Sequence, residues 1–336
     1  MTLSTRPDTP PPVTTTGGPV LARVGRLPLP VRWLLLVAGV SVAIWLPNGI
    51  YAGVAVDILC WSLLAVSVDL LLGFTGLLSF GHAAFWGTAA YAAGLAAVHT
   101  GVPFPVAVLL GAIAAAVLAV PIAYLAVRRV GIYFAMVTLA FAQLVYYVAN
   151  QWRSVTGGEN GLHGVPRELF GLDLSDSYYF YYAALPIVAL GLFAAWRIVH
   201  SPFGRVLLAI RDNTARTRAL GYPAHRYKIV AFVLSAFLAG LGGGLFAIGH
   251  GFVALDVLHW TTSGKAVIMV VLGGIGTLWG GALGAALVIY LEDLLAVAGF
   301  AEIGLVTGAI FVAVVLLFRR GIWGTASQLL SRRRRR

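Results

Sequence analysis

The stretch Ile50-Tyr-Ala-Gly-Val-Ala-Val-Asp-Ile-Leu-Cys-Trp-Ser-Leu-Leu-Ala-Val-Ser-Val-Asp-Leu-Leu-Leu72 decides the fold class. Its only charges are Asp57 and Asp69. Roughly 20 apolar residues in helical conformation cross the hydrocarbon core of a bilayer, and this run meets that length. Working outward from it, breaks at Pro, Gly and charged residues delimit further runs at about 29–46, 76–98, 103–127, 131–150, 179–199, 228–250, 263–280, 281–298 and 303–318. The pair at 263–298 is also compatible with a re-entrant piece. The expectation is an all-α, polytopic transmembrane helical bundle of about eight to ten spanning helices.

Composition agrees. The 336 residues are 60% hydrophobic and 10% charged, against about 25% charged in soluble domains. Mean hydropathy is +0.91. A soluble core cannot absorb so much apolar surface. The net charge of +11 would suit nucleic acid only if basic patches lay on a soluble fold, and none does. In a membrane protein such charge reports topology, because Lys and Arg gather in cytoplasmic loops. With the N-terminus inside, all of the 23 basic residues except Arg153, Arg167 and Lys265 fall in inner segments. The expected outer loop at 151–178 sets Glu159, Glu168, Asp173 and Asp176 against Arg153 and Arg167. The bacterial cytoplasmic (inner) membrane with both termini cytoplasmic is therefore expected, and the terminal Arg332–Arg336 run reads as an anchor at anionic lipid.

Residues 1–28, rich in Pro and Thr, read as a disordered cytoplasmic tail. The first apolar run begins near Leu29, too far in for a simple signal peptide, and is expected to be retained. Residues 29–324 form the expected membrane domain, and 325–336 a basic tail. The 40 glycines supply close helix packing at Gly240 and Gly244, at Gly276, Gly280 and Gly284, and at Gly304 and Gly308. Cys60 is the one cysteine, which excludes an internal disulfide and suggests no Cys-based metal site.

Residues 200–227 are the one long inner loop. Ser201-Pro202 is a helix start, with a capping hydroxyl and a residue whose missing N–H is harmless there. Phe203, Val206, Leu207 and Ile210 recur on one face. A second short helix is expected from Thr214 to Leu220, ended by Gly221 in the left-handed conformation with Pro223 beyond. An amphipathic linker on the membrane surface and a docking element for a soluble partner both fit.

The loop segment Ser201-Pro-Phe-Gly-Arg-Val-Leu-Leu-Ala-Ile-Arg-Asp-Asn213, with Ala219-Leu-Gly221 and Arg226-Tyr-Lys228, resembles that of branched-chain amino-acid ABC permeases of the LivM type. So do Gly73-Phe-Thr-Gly-Leu-Leu-Ser-Phe-Gly-His-Ala-Ala-Phe85, Thr156-Gly-Gly-Glu-Asn-Gly-Leu162 and Val271-Leu-Gly-Gly-Ile-Gly-Thr-Leu-Trp-Gly-Gly281. The similarity runs in order from about residue 50 to 324. It departs from related loops at Thr214, Arg216 and Arg218, where acidic residues and alanines are common.

The resemblance implies a non-enzymatic permease subunit of an ATP-driven importer. The solute would be a branched-chain amino acid or a related small polar molecule; urea and short amides are alternatives. It implies a second homologous permease, two ATP-binding subunits carrying ATP and Mg, a soluble substrate-binding protein and surrounding membrane lipid, with no cofactor on this chain and no nucleic acid. The coupling helix would use Phe203, Gly204, Arg205, Val206, Ile210, Arg211 and Gly221.

The same resemblance places Thr75, Gly76, Ser79, Gly81, His82, Gly273, Gly274 and Gly276 near the translocation path, while a hydrogen-bonded packing role for His82 and back-bonding of the two hydroxyls fit as well. Gly157, Gly158, Glu159 and Asn160 are turn formers that would also touch a delivering binding protein.

No catalytic constellation is visible. Ser263-Gly-Lys-Ala266 lacks the spacing and hydroxyl of a phosphate loop, and the seven histidines show no metal spacing. Asp69 is expected to cap a turn or pair with a cation, Asp57 to face a partner helix, and Glu292 and Asp293 to lie near the outer interface. A proton relay through these carboxylates would make the chain an ion-coupled secondary transporter instead. An integral-membrane enzyme would need an acid–base or metal cluster.

Overall fold

The computed structural model describes residues 45–169, 171–299, 303–317 and 321. The tails at 1–28 and 325–336, and nearly all of the first candidate span at 29–46, lie outside them. Among the described residues, after a helical stretch at 45–49, twelve α-helices run in order: α1 Ala52–Thr75, α2 His82–Thr100, α3 Phe104–Ala126, α4 Ile132–Gln151, α5 Arg153–Thr156, α6 Ser177–His200, α7 Pro202–Asp212, α8 Thr214–Ala219, α9 Ala224–His250, α10 Trp260–Gly273, α11 Trp279–Val297 and α12 Ile303–Leu317. Four two-residue strands make two small ribbons: β1 Leu162–His163 pairs with β4 Phe252–Val253, and β2 Glu168–Leu169 with β3 Leu172–Asp173.

Six described helices, α1, α3, α4, α6, α9 and α11, are long and apolar enough to cross a membrane, and α10 and the core of α12 are shorter apolar helices. The chain is thus an all-α polytopic bundle. Two candidate spans change shape. The run at 76–98 begins as an irregular stretch, and its helix starts only at His82. The run at 263–280 is a 14-residue helix from Trp260 to Gly273 that stops short at Gly274, followed by a turn before Trp279. Gly-rich sequence breaks both helices inside what hydropathy alone reads as continuous runs.

Helices α1 and α9 form the centre. α9 packs along α1, α2 and α3, and α1 also meets α6, α10 and α11. The α3–α9 seam is built from small residues: a Cβ placed at Gly240 would come within 2.8 Å of the Ala112 Cα, and one at Gly244 within 3.2 Å of the Val108 Cα. Lipid gives helices no hydrophobic drive to associate, so backbone approach and dispersion do that work. By contrast, Gly304 and Gly308 meet nothing within 4 Å.

Candidate functional site

Two interruptions lie at the end of the bundle that carries α7 and α8. The first joins α1 to α2 through residues 76–81, and the second joins α10 to α11 through residues 274–278. They touch. A Cβ on Gly73, in the last turn of α1, would stand 2.6 Å from the backbone of Gly276.

Broken backbone at membrane depth leaves N–H groups that lipid cannot satisfy, and here side chains from other helices take them up. Asp69 of α1 accepts from the Gly276 N–H at 2.7 Å with Oδ1 and from the Leu278 N–H at 2.9 Å with Oδ2. Thr138 of α4 accepts from the Phe80 N–H at 3.2 Å, and Ser263 of α10 accepts from the Ala83 N–H at 2.7 Å. Ser79 accepts from the Gly81 N–H at 3.1 Å. Leu278 is the one non-glycine among the described residues with positive φ, at 59°, and the N–H of Trp279 donates across it to the Thr277 carbonyl at 2.7 Å. That is a γ-turn of the rare, strained hand, clamped by the fully buried Asp69.

His82, also fully buried, pairs through Nε2 with the Ser235 hydroxyl at 2.8 Å, and that hydroxyl donates to the Ser67 carbonyl at 2.5 Å. The chain of contacts ties α2, α9 and α1 together, the arrangement of a hydrogen-bonded packing histidine. The Thr75 hydroxyl donates back to the Leu71 carbonyl at 2.6 Å. Of the path candidates, Gly76, Gly273, Gly274 and Gly276 all line the two contacting interruptions, while Ser79, Gly81 and His82 lie where the first re-enters the bundle.

Below the interruptions sit α7 and α8. Ser201 caps α7, accepting from the Gly204 N–H at 3.3 Å, and Asn213 caps α8, accepting from the Arg216 N–H at 2.9 Å. Gly204 is buried, and a Cβ there would strike the Val199 carbonyl. Gly221 ends α8 at φ +88°.

The outward face of α7 differs from the sequence expectation. Ile210, 1% exposed, and Leu207, 0%, turn into this chain's own bundle, so Ile210 cannot seat in a partner. The apolar stripe that periodicity picks out is the one that anchors α7. What remains outward is a groove of about 470 Å³ between α7 and α8, lined by Phe203, Val206, Leu220 and Tyr222, with Arg205 at its edge. Leu220 is 72% exposed, and Phe203 stacks on Tyr227 with ring centroids 5.5 Å apart.

Arg211 also departs from expectation. Its guanidinium donates to the Gly73 carbonyl, and its side chain lies against the Cβ positions of Gly76 and Gly276, at 3.1 and 3.5 Å. One side chain of α7 thereby touches both interruptions. Sequence periodicity does not reveal this, because the contact joins residues 138 positions apart.

Toward the opposite end, Lys265 of α10 pairs with Glu292 of α11 at 2.5 Å, and its ammonium lies 4.4 Å from the centre of the Trp61 ring. Asp57 lies 3.5 Å from the His250 ring. Glu292 thus lies toward the expected outer end, partly exposed, in a charge pair between helices that the sequence alone does not show. Side chains lean toward helix N-termini, so these two, on antiparallel neighbours, lean toward each other.

In the connecting segment at that end, Gly157 and Gly158 have positive φ, and the Thr156 hydroxyl accepts from the Gly158 N–H at 3.2 Å. Glu159 and Asn160 are exposed at its tip. The Ser175 hydroxyl and N–H hold the Asp173 carboxyl below its usual range. No group of three or more His, Cys, Asp or Glu among the described residues is placed to hold a metal.

Comparison with known proteins adds to this geometry. The family described as the branched-chain amino acid transport system / permease component matches residues 50–317. The high-affinity branched-chain amino acid transport system permease protein LivM of Escherichia coli K12 is 31% identical over 294 residues, covering 78% of this chain and 68% of the relative. LivM of Salmonella typhimurium is 31% identical with the same coverage. The autoinducer 2 import system permease protein LsrC of Klebsiella pneumoniae is 40% identical over 108 residues, 30% of each chain. No solved structure matches.

Proposed function

Since the chain belongs to the branched-chain amino acid transport system / permease component family, we propose that it is the permease subunit of an ATP-driven importer for branched-chain amino acids or related small polar solutes. It pairs with a second homologous permease, and two ATP-binding subunits hydrolyse ATP with Mg beneath them. A soluble binding protein delivers the solute to the side of the Glu159–Asn160 tip. The chain crosses the bacterial inner membrane with both termini and the α7–α8 loop in the cytoplasm.

The observation that carries this reading is Arg211. The α7–α8 groove offers exposed apolar side chains to a partner, and Arg211, on the same helix, holds the two glycine interruptions of the membrane domain. A displacement of α7 by the ATPase moves the Gly73 and Gly276 turns together, because their backbones are in contact. Asp69 keeps the second turn attached to α1 while this happens. The turns contain no bulky side chain at their contact, so they shift past each other with little steric resistance.

The Lys265–Glu292 pair with Asp57 and His250 nearby is the observation that favours a second reading, an ion-coupled secondary transporter, since ionisable groups inside a membrane mark transport paths and proton relays. In the importer the same charges offer a zwitterion a partner for each of its ends. One experiment separates the two. Proteoliposomes holding the complete complex take up L-leucine only with ATP and binding protein under the importer reading. Uptake by this chain alone, driven by a proton gradient, sinks it and supports the second.

A further inference from the structure

A cleft of about 640 Å³ opens where α3 ends, walled by Arg128 after that helix, by Arg218 of α8, and by His225 and Lys228 in the first turns of α9. Its lining contains no acidic residue. Lys228 is only 6% exposed, yet among the described residues it has neither a carboxylate nor a hydrogen-bond acceptor. Arg218 is near enough to act on it as a like charge. The Lys228 stem is packed while its ammonium faces the cleft, and gathering further cations around an unpaired ammonium adds repulsion. The arrangement is stable when an anion occupies the cleft.

The surroundings say which anion. The Arg128 guanidinium lies 4.5 Å over the Tyr124 ring, and Tyr124 in turn meets the His225 ring edge-on at 6.3 Å. These groups sit at the end of a spanning helix, the level of lipid headgroups. From Arg128 back along α3, Tyr124, Val120 and Val117 present exposed apolar side chains, and Val230 does so from α9. Cations at the interface with an open apolar lane leading into the membrane match a phosphate ester that carries acyl chains. Free phosphate has no use for the lane.

We propose that this cleft binds the phosphate headgroup of an anionic membrane lipid, held by Arg128, Arg218 and Lys228, with its acyl chains along the α3–α9 surface. The inference stands on charge and shape, independently of what the protein transports. Guanidinium groups chelate phosphate oxygens with two parallel N–H bonds, and lysine adds a point charge.

The test is native mass spectrometry of the full-length protein in non-ionic detergent, titrated separately with dioleoyl-phosphatidylglycerol, dioleoyl-phosphatidylcholine and sodium phosphate. Phosphatidylglycerol should be retained at ratios where phosphatidylcholine is not, and phosphate should not displace it. Lys228→Met and Arg128→Gln should each weaken that retention at least tenfold. Arg226→Gln, an exposed cation two residues from Lys228 and outside the cleft, should leave it within twofold. Equal retention of both lipids overturns the proposal, as does equal weakening by Arg226→Gln, which would indicate a diffuse surface field. Binding of phosphate without lipid preference assigns a free-anion site and overturns it too. Should Lys228→Met fail to fold, Arg128→Gln decides alone, since Arg128 is exposed.

Discussion

Replacing Asp69 with alanine removes both acceptors from the turn at 274–278. The Leu278 N–H is buried and would be left wholly unsatisfied, at about 1–3 kcal/mol. The Gly276 N–H is partly exposed, so its loss costs less, and the two together come to roughly 2–4 kcal/mol. A tenfold change in an equilibrium corresponds to about 1.4 kcal/mol, so local opening of the turn should rise roughly 30- to 1000-fold.

Asp69→Asn keeps one carbonyl oxygen but turns an NH₂ toward the other donor, and should fall between wild type and alanine. Hydrogen exchange read by mass spectrometry on peptides spanning 270–280 measures this directly, with α9 peptides as the control. If Asp69→Ala leaves exchange at 274–278 within threefold of wild type, the clamp is an incidental contact. If α9 loosens equally, the residue supports the whole bundle and not this turn.

Val206→Asp or Leu220→Asp should release the ATP-binding partner while leaving the protein in the membrane, as read by co-purification; unchanged co-purification of both would remove the α7–α8 groove from the interface. Ile210→Ala should instead cost about 2–5 kcal/mol of stability, because the side chain is core, with the thermal unfolding curve as readout. Gly73→Ala should abolish transport by pushing on the Gly276 backbone, whereas Gly221→Ala, with no atom within 4 Å of its Cβ, should cost only the backbone's roughly 1–2 kcal/mol; equal effects on stability would refute the contact argument. In a Cys60→Ser background, an impermeant thiol reagent applied to intact cells should label Glu159→Cys and spare Ala215→Cys, and the reverse pattern would invert the topology.

Much of this molecule is legible from one chain because its strongest signals are local. Hydropathy finds α1, α3, α4, α6, α9 and α11, since length and apolarity are properties of a window. Ser201, Pro202 and Gly221 bracket the paired short helices through caps whose chemistry acts within a few residues. Hydropathy mislays the start of α2 and the end of α10 because glycine and leucine score as apolar whether or not their backbone is helical. Face periodicity finds Ile210 but cannot say whether the apolar stripe meets a partner or its own bundle; burial decides that. The contacts of Asp69, Arg211, Ser263 and the Lys265–Glu292 pair were beyond reach for a different reason. Each joins distant parts of the chain, and only the packing of helices brings them together. Glycine density in both interruptions was the available hint that backbone groups there would need outside partners.

The Asp69 clamp also has a history in time. Its carboxylate is made early, and the two amides it serves follow 207 and 209 residues later. At about 5–20 residues per second of synthesis, α1 waits on the order of 10–40 s with a buried-to-be carboxylate that has no acceptor role to fill. Throughout that interval the nascent protein holds an unfinished polar group in its innermost helix, and only the arrival of the α10–α11 hairpin completes it. A ribosome that stalls or a chain truncated before residue 276 therefore leaves a product whose central acid lacks both of these donors. A hairpin made late completes a helix made early.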